Sequence, residues 1–452
     1  LKAREETDHP VKNKKKTNRN ILVIIAVLSL ILVVEGFFIL LGPGNGNGPD
    51  TDGPVEEQPG EPAEEVPAVD PKEHVKYIHR SETINGLKQE INILEIDPKV
   101  PGIKIKPALS YDLIYGYELL SKIASRHNAY AAVNGGFFRD FGLPSGMVVI
   151  DGHLISAATG DYPVLILRSG QAELKEIESK LYIVINGGEG DAVSSGNSGG
   201  SGAVAGSSGS TVGGSGETAG AVGESGNIAG GSAVMSDTEK TRLEIDNINF
   251  PASGKQTIVY TPLYGRSNRA DKKNITATVE EGVVTKIAEY EKEVQIPGNG
   301  MLISFFDTAA YRGKELPVKV GDKVELVHEP DMTGDVQAYE CGCWLVRDGV
   351  PVVGDRDPWV GVLTNRDPRT AVGIREDGTV ILLTVDGRQP GYSAGFTGRE
   401  LADYLISCGA VDAAMLDGGA STAMLLEGTL VNRPSYKGQE REVAGAILIL
   451  LE

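Results

Sequence analysis

Cysteine is scarce. Three in 452 residues (Cys341, Cys343 and Cys408) are too few for a disulfide framework, and an odd number in an exported chain leaves at least one thiol free or paired between molecules. Cys341-Gly-Cys343 is a fragment of a metal-binding pattern, but no second cysteine pair or histidine cluster accompanies it. Small buried residues, with one optional bridge to Cys408, is the simpler reading. Basic residues are also in deficit, 43 Lys and Arg against 62 Asp and Glu, for a net charge of −19. That excess argues against nucleic acid, whose phosphates call for a basic face. Part of the negative charge is local, because Asp50 to Asp70 holds eight acidic residues and no basic one. The remainder is only mildly acidic and names no partner.

Large apolar residues are missing from two stretches. Residues 42–72, rich in Gly, Pro and Glu, read as a solvated stalk. Residues 187–235 are almost wholly Gly, Ser, Ala and small polar residues without apolar periodicity, and read as a disordered insertion. Loop entropy grows slowly with length, so such an insertion between two strands is tolerable; a boundary between two domains is the alternative.

What the chain does have is an apolar run of 21 residues, Ile21 to Leu41, broken only by Ser29, Glu35 and Gly36. At 1.5 Å per residue it spans a hydrocarbon core of about 30 Å. It ends Phe37-Phe38-Ile39-Leu40-Leu41 without a small-x-small cleavage site, which favours an uncleaved signal-anchor over a signal peptide. Lys12, Lys14, Lys15, Lys16 and Arg19 precede it, so the positive-inside rule puts residues 1–20 in the cytoplasm and everything after Leu41 outside. The lipid bilayer is thus an expected partner through residues 21–41.

Folded pattern begins near Val75 and defines a domain over 73–452. Ile91 to Ile96 alternates as a strand, and Asp97-Pro98 breaks it. The spacing of Leu113, Leu119, Leu120 and Ile123 predicts an amphipathic helix over 111–127. Ala131 to Val133 is a short buried strand, and strand-like pattern runs from Leu243 to about Leu326. Val380 to Val385 is apolar except for Thr384 and long enough for a strand buried on both faces. Thr397-Gly-Arg-Glu400 has the capping-box pattern, opens a helix through Leu401, Tyr404 and Leu405, and Gly409 is placed to end it. Val411 to Leu416, Thr422 to Leu426 and Val443 to Leu451 read as further strands. Strands outnumber helices, and the expected class is α+β: a mixed or antiparallel sheet packed with helices, preceded by one transmembrane helix and a disordered stalk.

Five Asp-Gly pairs follow the stalk, at Asp151, Asp348, Asp377, Asp386 and Asp417. Asp-Gly between alternating apolar runs is a common hairpin turn, and the first three fit that description. Asp386 and Asp417 instead end buried strands and are followed by Arg388 and by Gly418-Gly419-Ala-Ser421-Thr422. A carboxylate at a strand end, beside glycines that let a ligand approach the backbone, is a functional arrangement. Arg369 and Arg388 are close by in sequence, and a guanidinium matches phosphate or carboxylate oxygens bidentately. The turns at Asn134-Gly135-Gly136 and Gly418-Gly419 offer backbone N–H groups for an anion nest.

Asn134-Gly-Gly-Phe-Phe138, Arg369-Thr-Ala-Val-Gly373, Asp386-Gly-Arg388, Leu416-Asp-Gly-Gly-Ala-Ser-Thr422 and Arg441-Glu-Val443, in that order, resemble the phosphodiester glycosidase family of the N-acetylglucosamine-1-phosphodiester α-N-acetylglucosaminidase type. The resemblance covers about Val75 to Leu451, the insertion excepted. It implies hydrolysis of the bond between a sugar's anomeric carbon and a phosphodiester, hence a carbohydrate-phosphate substrate, and places Asp386, Asp417, Asn134, Arg369 and Arg388 on motif positions. Such chemistry needs a carboxylate to activate water or steady an oxocarbenium-like centre, and cations for the departing phosphate. Asp386 or Asp417 takes the first role, and Arg369 with Arg388 the second. Thr370, Ser421 and Thr422 join Asn134 and the four turn glycines as substrate-binding candidates, although Ser421 and Thr422 equally suit the Asp417 turn. Arg441 can clamp phosphate or pair with Asp417. Glu400 is explained by the capping box. The family usually has a Gly-rich stretch where this chain has Cys341-Gly-Cys-Trp-Leu345, a departure in the pocket wall. No cofactor is required; a divalent cation such as calcium is compatible with the acidic residues, but no ligand spacing demands one. Cell-envelope glycopolymers or exopolysaccharide are the expected setting. A non-catalytic glycan-binding or envelope-assembly module using the same pocket is the competing class, and transfer of phospho-sugar is a third.

Overall fold

The computed structural model describes residues 69–186 and 241–452. The apolar run 21–41, the stalk and the Gly/Ser insertion lie outside the described residues.

The protein is β-dominated, which corrects the α+β expectation. Among the described residues there are two α-helices, α1 (Leu120–Arg126) and α2 (Gly398–Ser407), and neither is long and apolar enough to cross a membrane. The error is largest at 111–127. Tyr111 and Asp112 take the left-handed conformation (φ 55° and 56°), Leu113 is exposed, and Glu118–Leu119 pairs with Glu442–Val443 as a short ribbon. Spacing of four apolar residues mimicked a helix where only Leu120–Arg126 forms one.

Two sheets face one another. The first has seven strands, ordered Val75–Ile84, Leu87–Ile96, Val380–Val385, Arg369–Arg375, Ala410–Met415, Trp344–Arg347 and Val350–Pro351. The second has five, ordered Thr429–Leu430, Met424–Leu426, Ala131–Asn134, Gly445–Leu451 and Ile103–Leu109. The inner residues Leu94, Val372, Leu382 and Ala414 of the first pack with Val133, Met424, Ile447 and Ile449 of the second. Each outer face carries one helix: Leu401, Ala402 and Leu405 of α2 cover Ile381, Leu383 and Ala413, and Leu120, Ile123 and Ala124 of α1 cover Ala132 and Leu448. The central strands are therefore buried on both sides, which is why Val380–Val385 reads as an apolar run rather than an alternation.

Helix α2 starts as the sequence predicts. The Glu400 N–H donates to Thr397 Oγ1 (3.1 Å) and the Thr397 N–H to Glu400 Oε2 (3.0 Å), a reciprocal box that satisfies two orphan donors. Gly409 (φ 90°) ends it. Asp151-Gly152 and Asp348-Gly349 have both residues at positive φ (49° and 73°; 51° and 73°) between hairpin-paired strands, as hairpin turns of this composition require.

A five-stranded sheet (His153–Ser156, Val148–Ile150, Val336–Glu340, Pro163–Arg168 and Gln171–Glu176) and an eight-stranded sheet spanning Lys180 to Glu329 complete the domain. In the latter, Lys180–Asn186 pairs antiparallel with Thr241–Ile245, so the residues on either side of the insertion are neighbours in one sheet.

Candidate active site

Antiparallel pairing gathers the motifs at one end of the seven-stranded sheet. Arg369 begins its strand opposite Val385, the last residue of the neighbouring one. Met415 pairs with Ala371 on the other side. Asp386 and Asp417 therefore emerge beside Arg369, and the Asp417 N–H donates to the Gly135 carbonyl at the end of Ala131–Asn134 (3.1 Å).

A cavity of about 380 Å³ opens here, lined by Asp417, Gly418, Gly419, Arg369, Arg388 and Asp367, with Phe137, Val360, Val362, Asn365 and Met415 closing it. Burial pushes the Asp417 carboxyl up to about 6, against hydrogen bonds from Ser421 and the Gly418 N–H and the positive charge of Arg441. A carboxylate held near neutral is suited to moving a proton.

Arg369 is buried. Its Nε donates to the Phe396 carbonyl (3.1 Å) and its Nη2 to the Asn365 carbonyl (3.0 Å). Asp367 Oδ2 lies 3.6 Å away. Burial holds this guanidinium below its ordinary range, with Asp367 opposing. Arg388 is half exposed, and its Nε donates to Asp367 Oδ1 (2.7 Å). A Cβ at Gly419 would lie 3.3 Å from both Arg388 Nη atoms, so the guanidinium tip rests against that glycine. Gly419 itself is at φ 62°, a second reason for glycine there.

Asp386 is brought to the same strand end but does not line the cavity. Its Oδ1 accepts from Asn432 Nδ2 (2.9 Å), and its Oδ2 accepts from the Arg433 N–H (2.9 Å) and the Tyr392 hydroxyl (3.1 Å). Burial pushes its carboxyl above the usual range. Asn432 continues the chain of contacts, accepting from the Met424 N–H (2.9 Å) and donating to the Thr422 carbonyl (3.2 Å). Asp386 thus ties the 432–433 segment to the strand end from which Arg388 departs.

The remaining candidates build the wall. Asn134 is fully buried; its Nδ2 donates to the Asp417 carbonyl (2.6 Å), and its Oδ1 accepts from Thr370 Oγ1 (2.8 Å) and the Ala423 N–H (3.2 Å). Thr422 Oγ1 lies 3.3 Å from Thr370 Oγ1, within reach to donate to it. Two of the four amides expected to form an anion nest at the glycine turns have carbonyl acceptors. Gly135 N–H donates to the Gly445 carbonyl (2.9 Å) and Gly419 N–H to the Pro368 carbonyl (2.8 Å). Gly135 and Gly136 are instead demanded by Tyr339, which a Cβ at either would meet at 2.6–2.7 Å. Arg441 stacks on Phe138, 5.9 Å from the ring centroid.

Sequence reasoning missed Asp367, which pairs with both arginines. Its signal was an acidic residue two positions before Arg369, in a segment without strand or helix periodicity. Asn432 had no signal in sequence at all. Glu400, read as structural, is held by its capping box, by Asn85 Nδ2 (2.7 Å) and by Arg366.

Residues 273–450 match the phosphodiester glycosidase family, and the resemblance drawn from the motifs holds over that segment. Among curated relatives, a SPbeta prophage-derived uncharacterized protein of Bacillus subtilis is 29% identical over 198 residues, 41% of this chain and 30% of that protein. The Bos taurus N-acetylglucosamine-1-phosphodiester α-N-acetylglucosaminidase is 33% identical over 119 residues, 23% of this chain and 22% of that protein. The chain thus spans less than a third of the length of these relatives. A crystal structure of a hypothetical protein from Synechocystis shares the fold, with a TM-score of 0.61 at 21% identity, over 84% of this chain and 62% of that one.

Proposed function

Taking that family match as premise, we propose that this chain hydrolyses the bond between a sugar's anomeric carbon and a phosphodiester. The observation that carries the reading is the convergence of Asp417, Arg369, Arg388 and Asp367 on one cavity of about 380 Å³. In the reaction, water adds to the anomeric carbon and the carbon–oxygen bond to phosphate breaks. Asp417 takes the proton that water gives up. The departing phosphate monoester, a good leaving group with a second pKa near 6, is met by the terminal nitrogens of Arg388 and by the charge of Arg369. Asp367 orients Arg388 through its Nε and keeps its fork aimed at the cavity. Asp386 acts as a positioning residue, because it does not line the cavity and both its oxygens are held by Asn432, the Arg433 N–H and Tyr392.

The basic cluster ahead of the apolar run 21–41 supports membrane tethering with the domain outside the cytoplasm, where envelope glycopolymers or exopolysaccharide are available substrates. A glycan-binding module without turnover is the second reading, and the raised Asp417 carboxyl favours the enzyme over it, since a binder gains nothing from a proton acceptor near neutrality.

The test is to incubate the chain with UDP-GlcNAc and a panel of sugar-1-phosphodiesters and measure released sugar. Hydrolysis is expected, with Asp417→Asn lowering it by at least about 100-fold. Unchanged turnover in Asp417→Asn, or none by the unaltered chain on any substrate, would sink the assignment.

A further inference from the structure

A concavity larger than the catalytic cavity lies outside it. It is a cleft of about 940 Å³ between the segments 115–117, 138–143 and 359 on one side and 250–253, 264–271 and 306 on the other. These last segments, apart from Phe306, precede the part of the chain matched to the family. Its walls include Tyr115, Tyr117, Phe138, Phe250, Tyr264 and Trp359. Two arginines are set among these rings. The Arg139 guanidinium lies 5.1 Å from the Trp359 centroid and 5.5 Å from that of Phe250. That of Arg269 lies 4.0 Å from the Tyr115 centroid and 5.8 Å from Tyr264. Among the described residues neither arginine forms an ion pair, although Asp140 and Asp271 also line the cleft. The wall carries one residue in the left-handed conformation, Phe141 at φ 63°, with its ring exposed. Such positions cost of order 1–3 kcal/mol and persist where their surroundings hold them.

Flat apolar ring faces with hydroxyl or N–H tips, interleaved with planar multi-donor guanidinium groups, match the C–H faces and ring hydroxyls of pyranoses. The volume is near the top of the roughly 300–1,000 Å³ range of ordinary ligand pockets, more than one sugar ring needs. Two segments border both the cleft and the catalytic cavity. Phe137 lines that cavity while Phe138 and Arg139 line the cleft, and Val360 lines the one while Trp359 lines the other.

We propose that this cleft binds several consecutive sugar units of the substrate, so that the substrate class is an oligo- or polysaccharide bearing the phosphodiester rather than a small sugar-1-phosphodiester. This rests on the reading of Asp417 as the catalytic carboxylate. The test uses a ladder of phosphodiester-bearing oligosaccharides of one, two, four and six sugar units with the full chain. Binding is measured by calorimetry on Asp417→Asn, and turnover on the otherwise unaltered protein. Affinity should rise at least tenfold from one unit to four. Arg269→Ala and Trp359→Ala, from different segments of the wall, should each erase most of that gain while turnover of the one-unit substrate stays within about twofold. Affinity independent of length, or variants that weaken one-unit and four-unit ligands alike, overturns the proposal. Calorimetry separates the two claims: if Asp417→Asn keeps its turnover, the catalytic reading fails, whereas the length dependence of binding decides the cleft by itself.

Discussion

Replacing Asp417 by asparagine is expected to destroy activity and stabilise the fold at once. The side chain sits at a strand end, accepts from Ser421 and the Gly418 N–H, and is pushed up from 3.8 to about 6, chiefly by burial. At 1.36 kcal/mol per pKa unit, holding it ionised costs the folded state about 3 kcal/mol, a ceiling because the carboxyl is partly open to the cavity. The sign follows from linkage. Between pH 4 and 6 the folded state binds the proton more tightly than the unfolded chain does. Stability of the unaltered protein from this group is therefore full below pH 4 and is lost as pH rises through 6. Asparagine keeps an acceptor for Ser421 and never ionises, so the variant escapes that loss. At pH 7.5 it should melt a few degrees higher, reflecting about 1–2 kcal/mol, and at pH 4 the two melting curves should coincide. Thermal unfolding by circular dichroism at both pH values is the assay. A variant that is less stable at pH 7.5, or whose advantage does not change with pH, refutes the reasoning. On the catalytic side, a base titrating near 6 predicts that kcat/KM of the unaltered protein falls about tenfold per unit below pH 6.

Arg388→Ala should leave the melting temperature within about 1 °C, because the side chain is half exposed and its pair with Asp367 is peripheral, yet lower kcat/KM on phosphodiesters by about 10–100-fold. Arg369→Ala is the opposite case: it empties a buried position and takes the donor from the buried Phe396 carbonyl, and should cost about 2–4 kcal/mol in thermal unfolding. Asp386→Ala removes the acceptor for Asn432, the Arg433 N–H and Tyr392 and should destabilise by about 2–4 kcal/mol, whereas a kcat loss without a drop in melting temperature would return Asp386 to a direct chemical role. Thr397→Ala breaks the capping box of α2 and should cost about 1 kcal/mol with no change in KM.

The parts of the fold legible in sequence were those whose neighbours in the chain decide them. The apolar run of Val380–Val385, the box at Thr397 and the φ-positive Asp-Gly turns each carry a local physical signal. The helix expected over 111–127 failed because a tertiary partner, Glu442–Val443, captured residues 118–119 as a ribbon, and no local pattern encodes a partner more than three hundred residues away. The site divides in the same way. Asp417 stood out by ending a strand beside glycines, and Arg388 by following such a strand end. Asp386 shares that signature but is consumed by Asn432 and Arg433, which only the folded chain brings to it. The glycines at 135 and 136 were read as open amides, whereas the close approach of Tyr339 accounts for them.

The pairing of Lys180–Asn186 with Thr241–Ile245 has a practical corollary for protein engineering. Ile185 and Thr241 are directly opposite one another, so the 54 residues from 187 to 240 join two points that a tight hairpin can join equally well. Exchanging them for a four-residue turn shortens the closed loop more than tenfold and, at 1.5 RT ln n, relieves about 2 kcal/mol of closure entropy. The same junction is a port: a reporter or affinity module whose own termini lie close together can be spliced there, on a sheet the catalytic strands do not share.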